Sequence, residues 1–263
     1  MHETIAIDID RRGVATLTLA RPEKHNTLSA AMIAELTAAA AHLGEDPLVR
    51  VVVLAATGAS FCAGGDLQWM RAQIAADDAT RRDAARALAM MLRALDRMPK
   101  PLIGRVQGAA YGGGVGILAV CDIAIGVAEA KFGLTETRLG LIPATISPYV
   151  VARIGVAAAR RHMLGARLFD ADEAHRIGLL GEVVGAHDLD AAVERAVLPF
   201  LSCAPGAVAA SKALVHHLGQ PIDDTLIEAT IDQLVLRWQD PEATEGIAAF
   251  FEKRRASWDW REN

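Results

Sequence analysis

The sequence predicts an α/β fold closed by a helical C-terminal region. Three observations predict it. Short apolar runs of strand length alternate with helix-periodic stripes as far as about Val184. From His187 onward only helical patterns remain, so residues 1–186 read as the core and 187–263 as the helical region. Two glycine-rich loops each follow a strand-like run and lead into a helix-like stretch.

Thr4–Ile9 and Val14–Ala20 read as a hairpin turning at Asp10–Gly13. Pro22 ends the second strand, because proline has no N–H to give to the ladder. A helix follows with Ile33, Leu36, Ala40 and Leu43 on one face. Val51–Ala55 is a strand that runs into the first loop, Gly58-Ala59-Ser60-Phe61-Cys62-Ala63-Gly64-Gly65-Asp66-Leu67. Thr80-Arg81-Arg82-Asp83 reads as a capping box opening a helix with a stripe of Ala84, Leu88, Met91, Leu95 and Met98. Pro99-Lys100-Pro101 stops that helix, and Leu102–Val106 is the strand before the second loop. That loop is Gly108-Ala109-Ala110-Tyr111-Gly112-Gly113-Gly114-Val115-Gly116. The tail predicts helices over Asp188–Leu201, Ala207–Leu218, Asp224–Trp238 and Glu242–Arg255, with Pro205-Gly206 as a turn. The third of them aligns Ile227, Ile231, Leu234 and Trp238.

Composition narrows the function. The hydrophobic share of 52% supplies a sizeable core. With 32 acidic against 27 basic residues the net charge is −5, which gives no footprint for nucleic acid, and 5% aromatics leave few surfaces for base stacking. Val106–Cys121, which no uncharged stretch exceeds in length, is glycine-rich and too short to span a membrane, and no targeting leader is seen. The expectation is a cytoplasmic protein that partners neither nucleic acid nor membrane. Cys62, Cys121 and Cys203 are odd in number and lack a CxxC pair, so they read as reduced buried thiols. Only Cys62, inside the first loop, is placed to be weighed as a nucleophile. The eight histidines show no HExxH spacing, and no metal or separate cofactor is expected.

Several motifs fail. From Gly112 a dinucleotide fingerprint would need glycine where Ile117 stands, and neither loop ends in the Gly-Lys-Ser/Thr of a phosphate loop. Around Ser60 the nucleophile elbow lacks its last glycine. What remains is the loops themselves. Glycine lets a loop turn backbone N–H groups toward a ligand, and two such donors aimed at one point form an oxyanion hole. Glu136, beyond the second loop, supplies an acid/base. The combination suits chemistry through an enolate.

With these loops and Arg21-Pro22-Glu23-Lys24-His25-Asn26-Thr27-Leu28, the chain resembles the crotonase family of enoyl-CoA hydratases and isomerases. Cys121-Asp122-Ile123-Ala124, Phe132–Gly140 and Ala171-Asp172-Glu173-Ala174 extend the resemblance over nearly the whole chain. It implies a spiral of ββα units with a C-terminal region that trimerises, giving a homotrimer or a homohexamer built as a dimer of trimers. It implies an acyl-CoA substrate, with CoA part of that substrate. Gly65 and Gly113 would donate their N–H groups to the thioester carbonyl, and the backbone of Ala63, Asp66 and Leu67 would line the adenine end of the CoA. Lys24 would approach the phosphates, and Lys253 with Arg254 would reach a neighbouring subunit's CoA.

One position departs from the pattern. Many family hydratases carry a glutamate three residues after the oxyanion-hole glycine and a second in the next loop. This chain has Gly116 at the first place and Glu136 at the second. Glu136 would then work alone, either as a hydratase base serving both C2 and C3 or as a Δ3,Δ2-enoyl-CoA isomerase base moving a proton between C2 and C4. A third reading is an acyl-CoA-binding protein without catalysis. Ala110–Ile117 and Gly140–Val150 are most similar to bacterial methylglutaconyl-CoA and isohexenylglutaconyl-CoA hydratases. That resemblance implies hydration of a branched, carboxylated enoyl-CoA in leucine or acyclic-terpene breakdown. Arg138, Arg71 and His25 are the candidates to meet a distal carboxylate.

Overall fold

In the computed structural model, residues 2–219 and 221–259 are described, so the last four residues of the expected helical region lie outside them. The chain opens with β1 (Ile5–Ile9), β2 (Val14–Leu19), α1 (Ala30–Glu45), β3 (Val51–Ala56) and β4 (Ser60–Cys62). It continues through α2 (Leu67–Ala75), α3 (Asp78–Arg97), β5 (Leu102–Val106), β6 (Ala109–Tyr111) and α4 (Gly113–Ala119). Then come β7 (Ile123–Val127), β8 (Lys131–Gly133), α5 (Ser147–Gly165), β9 (Phe169–Asp170), α6 (Ala171–Arg176) and β10 (Glu182–Val184). Four helices finish it: α7 (Leu189–Leu201), α8 (Pro205–Leu218), α9 (Asp224–Gln239) and α10 (Pro241–Phe251).

Two sheets share the strands. The larger runs β1-β2-β3-β5-β7-β10 and is parallel apart from the antiparallel β1–β2 hairpin. The smaller runs β4-β6-β8-β9. Each turn of the chain lays a long strand in the first sheet, a short strand in the second and then a helical segment: β3–β4–α2, β5–β6–α4 and β7–β8–α5. This is the spiral of ββα units. β3, with sequence VVVLAA, is buried along its whole length, as a parallel strand covered on both faces must be.

The helical stripes fall mostly where the sequence put them. Ile33, Leu36, Ala40 and Leu43 of α1 are buried, and the Ser29 side chain caps that helix by accepting from Met32 N. Three expectations shift. Asp77, not Thr80, caps α3: its Oδ1 accepts from Thr80 N at 2.8 Å, so the helix starts one turn earlier and buries Ala85, Ala89, Met91, Leu92 and Leu95. Pro205-Gly206 is the first turn of α8 instead of a separate turn, because proline suits a position whose N–H has no partner in the helix. α10 stops at Phe251, short of Arg255, and Lys253 just beyond it takes a left-handed φ of 53°.

The core divides in two. One cluster surrounds the large sheet and includes Leu17, Leu54, Phe61, Leu95, Ile103 and Phe132. A second joins α3, α9 and α10 through Ala85, Ala89, Ile231, Leu234, Trp238 and Ile247. Arg82 with Asp232, and Arg86 and Arg93 with Glu228 and Asp224, pair across the outside of α3 and α9. Among the described residues no single helix is long and apolar enough to cross a membrane.

Candidate active site

Both glycine loops open onto one cavity of about 730 Å³ between the small sheet and the tail helices. The Arg21–Leu28 segment fastens the first loop. Ala63 N donates to His25 O at 3.0 Å, Leu28 N to Gly64 O at 2.8 Å and Asp66 N to Leu28 O at 3.1 Å. Asn26 is fully buried, and its side-chain amide donates to Thr57 O and Ser60 O while its Oδ1 accepts from Arg21 N. Asp66 is also structural in its side chain. Its Oδ1 caps α2 by accepting from Gln68 N and Trp69 N, and its Oδ2 meets Thr27 Oγ1 and Arg21 Nη1.

The second loop lies against the first. Gly64 has φ 90° and Gly112 φ 50°, conformations that a side chain would resist. A Cβ on Gly64 would stand 3.7 Å from Gly113 N, so the loops touch at the cavity floor. The bonds of Leu28 pass to either side of Gly65, and Gly113 is the first residue of α4. Among the described residues neither Gly65 N–H nor Gly113 N–H has a hydrogen-bond partner. Both donors are free for a ligand oxygen, and the α4 N-terminus adds its positive dipole end.

Glu136 begins a 3-10 turn, Glu136–Leu139, and reaches back over Gly112. Its residue is half-buried, yet its Oε2 is shut off from solvent without a hydrogen-bond partner. Desolvation therefore pushes its pKa up from 4.5 to about 7, against a smaller opposing pull from its own backbone N–H. A carboxyl with that pKa beside free N–H donors can take and return a proton at neutral pH. Cys62 cannot compete as a nucleophile: burial pushes its thiol up to about 12. Cys121 is buried likewise, whereas Cys203 is exposed, contrary to expectation.

The cavity brings together Lys24, Ala63, Gly65, Asp66, Leu67, Gly113 and Glu136. Arg138 and His25 also line it. His25 Nδ1 lies 3.1 Å from Ser60 Oγ, whereas the Arg138 side chain has no ion-pair partner among the described residues. Three cations fall elsewhere. Arg71 holds its guanidinium 3.8 Å over the ring of Phe251, Arg254 pairs with Glu245 and Glu252, and Lys253 is not in the wall of its own chain's cavity. The apolar wall was not read from the sequence as such. Leu28, Trp69, Ile142, Ile146, Trp238 and Phe250 come from five separate segments. The available signal was the helical stripes, of which α9 supplies Leu234 and Trp238, α1 Ile33 and α3 Leu88.

The sequence profile of the enoyl-CoA hydratase/isomerase family matches residues 10–261. The enoyl-CoA hydratase ACTT6 of Alternaria alternata is 37% identical over 245 residues, 92% of this chain and 80% of that protein. The crotonyl-CoA hydratase of Syntrophomonas wolfei is 31% identical over 258 residues, covering 97% and 98%. Among solved structures, an enoyl-CoA hydratase from Shewanella pealeana is 38% identical with a TM-score of 0.80, covering 97% of this chain and 96% of that one. Sequence and structure thus agree along nearly the full length with what the two loops and the carboxylate beside them suggest: the chain belongs to the enoyl-CoA hydratase/isomerase family.

Proposed function

We propose that the protein adds water across the C2=C3 bond of a branched, carboxylated enoyl-CoA of the 3-methylglutaconyl-CoA kind. One observation carries this reading: a single buried, unpartnered carboxylate, Glu136, shares the cavity with two free backbone donors. The Glu136 carboxylate takes a proton from water while the water oxygen bonds to C3. The π pair of C2=C3 moves to C1–C2, and charge collects on the thioester oxygen, held by the N–H groups of Gly65 and Gly113. The Glu136 acid then gives its proton to C2 and the thioester carbonyl re-forms. Both transfers occur on one face, so addition is syn. The backbone of Ala63, Asp66 and Leu67 cradles the CoA, and Lys24 at the mouth meets its phosphates.

Arg138 supports the carboxylated substrate, since it lines the cavity and has no ion-pair partner among the described residues. The decisive assay compares crotonyl-, 3-methylcrotonyl- and 3-methylglutaconyl-CoA. Preference for the last, with Arg138→Met lowering its kcat/KM roughly tenfold more than that of 3-methylcrotonyl-CoA, supports the reading. No preference overturns the substrate class.

Gly116 favours a second reading, because one base suffices to carry a proton from C4 to C2. Rapid conversion of a 3-enoyl-CoA without any hydration would establish the isomerase instead. Binding of acyl-CoA with neither reaction would leave a non-catalytic protein.

We also propose assembly as a homotrimer or dimer of trimers. α8 buries no residue within its own chain and leaves Leu214, Val215 and Leu218 exposed at 56%, 70% and 76%. In such an assembly Lys253 is offered to the neighbouring subunit's CoA. A monomeric mass by light scattering overturns this.

A further inference from the structure

Gly116 sits one helical turn along α4 from Gly113, on the same side of the helix. A Cβ placed on it would stand 2.5 Å from Ile146 Cγ2 and 2.9 Å from Ile146 Cβ, nearer than packed carbons approach. Ile146 is 2% exposed and is itself part of the cavity wall. It cannot swing aside freely. Val150 N donates to its carbonyl at 3.0 Å as α5 begins, and the next residue, Ser147, donates its hydroxyl to Ala144 O at 2.7 Å. The Ile146 side chain therefore fills the room that any side chain at 116 would take.

Three residues of helix rise about 4.5 Å, about an ångström more than separates a thioester oxygen from the third carbon of its acyl chain. With the oxygen at Gly113 N–H, the wall beside C3 is the hydrocarbon of Ile146. Leu28, Ile33 and Leu88 line the same cavity and add no polar group. We infer that Ile146, seated over Gly116, is the specificity-determining residue for the substituent on C3. It presents a dry methyl surface that accepts a small alkyl branch and sets its maximum size. This inference rests on the acyl-CoA reading above, but its measurement does not require turnover.

The test measures dissociation constants of three saturated thioesters, butyryl-, 3-methylbutyryl- and 3-methylpentanoyl-CoA, by calorimetry. Two variants push the wall in opposite directions. Ile146→Ala deepens it, with Ile146→Val as the milder form should the first fold poorly. Gly116→Ala drives Ile146 into the cavity. Widening should improve 3-methylpentanoyl relative to 3-methylbutyryl binding about tenfold, the scale of one methylene in an apolar pocket. Narrowing should weaken 3-methylbutyryl relative to butyryl binding by a similar factor, and Gly116→Ala combined with Ile146→Ala, which removes the clashing Cγ2, should move back toward the parent. Ratios that stay put, or move the same way in both variants, overturn the inference. Hydration of enoyl-CoA by the parent protein tests the enzymatic reading separately.

Discussion

Glu136 Oε1 stands 2.9 Å from the point where a Cβ on Gly112 would lie. The carboxylate and the loop leading to the proposed oxyanion donor Gly113 thus pack directly against each other. Gly112→Ala would push the carboxylate away and strain a backbone held at φ 50°. We expect kcat to fall on the order of a hundredfold, the scale of a 1 Å displacement of a reacting group. Steady-state kinetics alongside circular dichroism checks this; a folded variant with parental kcat contradicts it.

The pH profile should report the same carboxyl. In the proposed mechanism the reactive form is the carboxylate, and its pKa in the free protein is pushed up to about 7 by burial. kcat/KM therefore rises as pH rises through that value and levels off above it. Glu136→Gln should abolish the limb and lower kcat on the order of a thousandfold. A flat profile in the parent protein excludes Glu136 as the titrating base.

Stability should move the other way. A carboxyl whose folded pKa lies above its unfolded value of 4.5 stabilises the fold most fully below that value, and the benefit disappears as pH rises through about 7. Above that pH the buried charge is a burden that Glu136→Gln relieves. The variant should match the parent in Tm near 4.5 and exceed it on the order of 5 °C above 7. Thermal melts across this window decide the matter, and a variant that loses stability above 7 refutes it.

Asp66→Ala removes the α2 cap together with the Thr27 and Arg21 contacts. Loss of the cap alone should reduce stability by about 1 kcal/mol. Since the same residue fixes the backbone proposed to hold CoA, KM should rise more than kcat falls. A fall confined to kcat would show that the loop instead aligns the oxyanion donors.

The long elements were legible because their periods are long enough to see. The β1–β2 hairpin and the buried face of α1 follow directly from alternation and from i, i+3, i+7 spacing. The small sheet was not legible. Its strands are two or three residues long, so no period can appear, and their pairing is fixed by tertiary packing. α5 was hidden differently: Gly155, at φ 75°, interrupts its helical backbone. At the site, glycine and glutamate carried chemical meaning in order along the chain, whereas Asn26 entered only as one residue of the Arg21–Leu28 motif, with nothing to mark it as a buried polar anchor. The cavity wall depends on which segments meet, and apolar residues from five segments carry no mark of their destination.

The separation of the core into two clusters has a consequence for substrate evolution. The donors and the Glu136 carboxyl sit on the loops and turn that follow the short strands of the small sheet, while Met70, Leu141, Ala144, Leu234 and Trp238 belong to the outer cluster and also face the cavity. An acyl chain entering there completes a hydrophobic nucleus that the protein leaves partly unfilled. Bound substrate should thereby become part of the packing of α9, and the expected outcome in hydrogen-exchange measurements is that backbone amides of Asp224–Gln239 gain protection when it is present. Changes in those helices can retune which acyl chain fits while the proton-transfer machinery stays untouched.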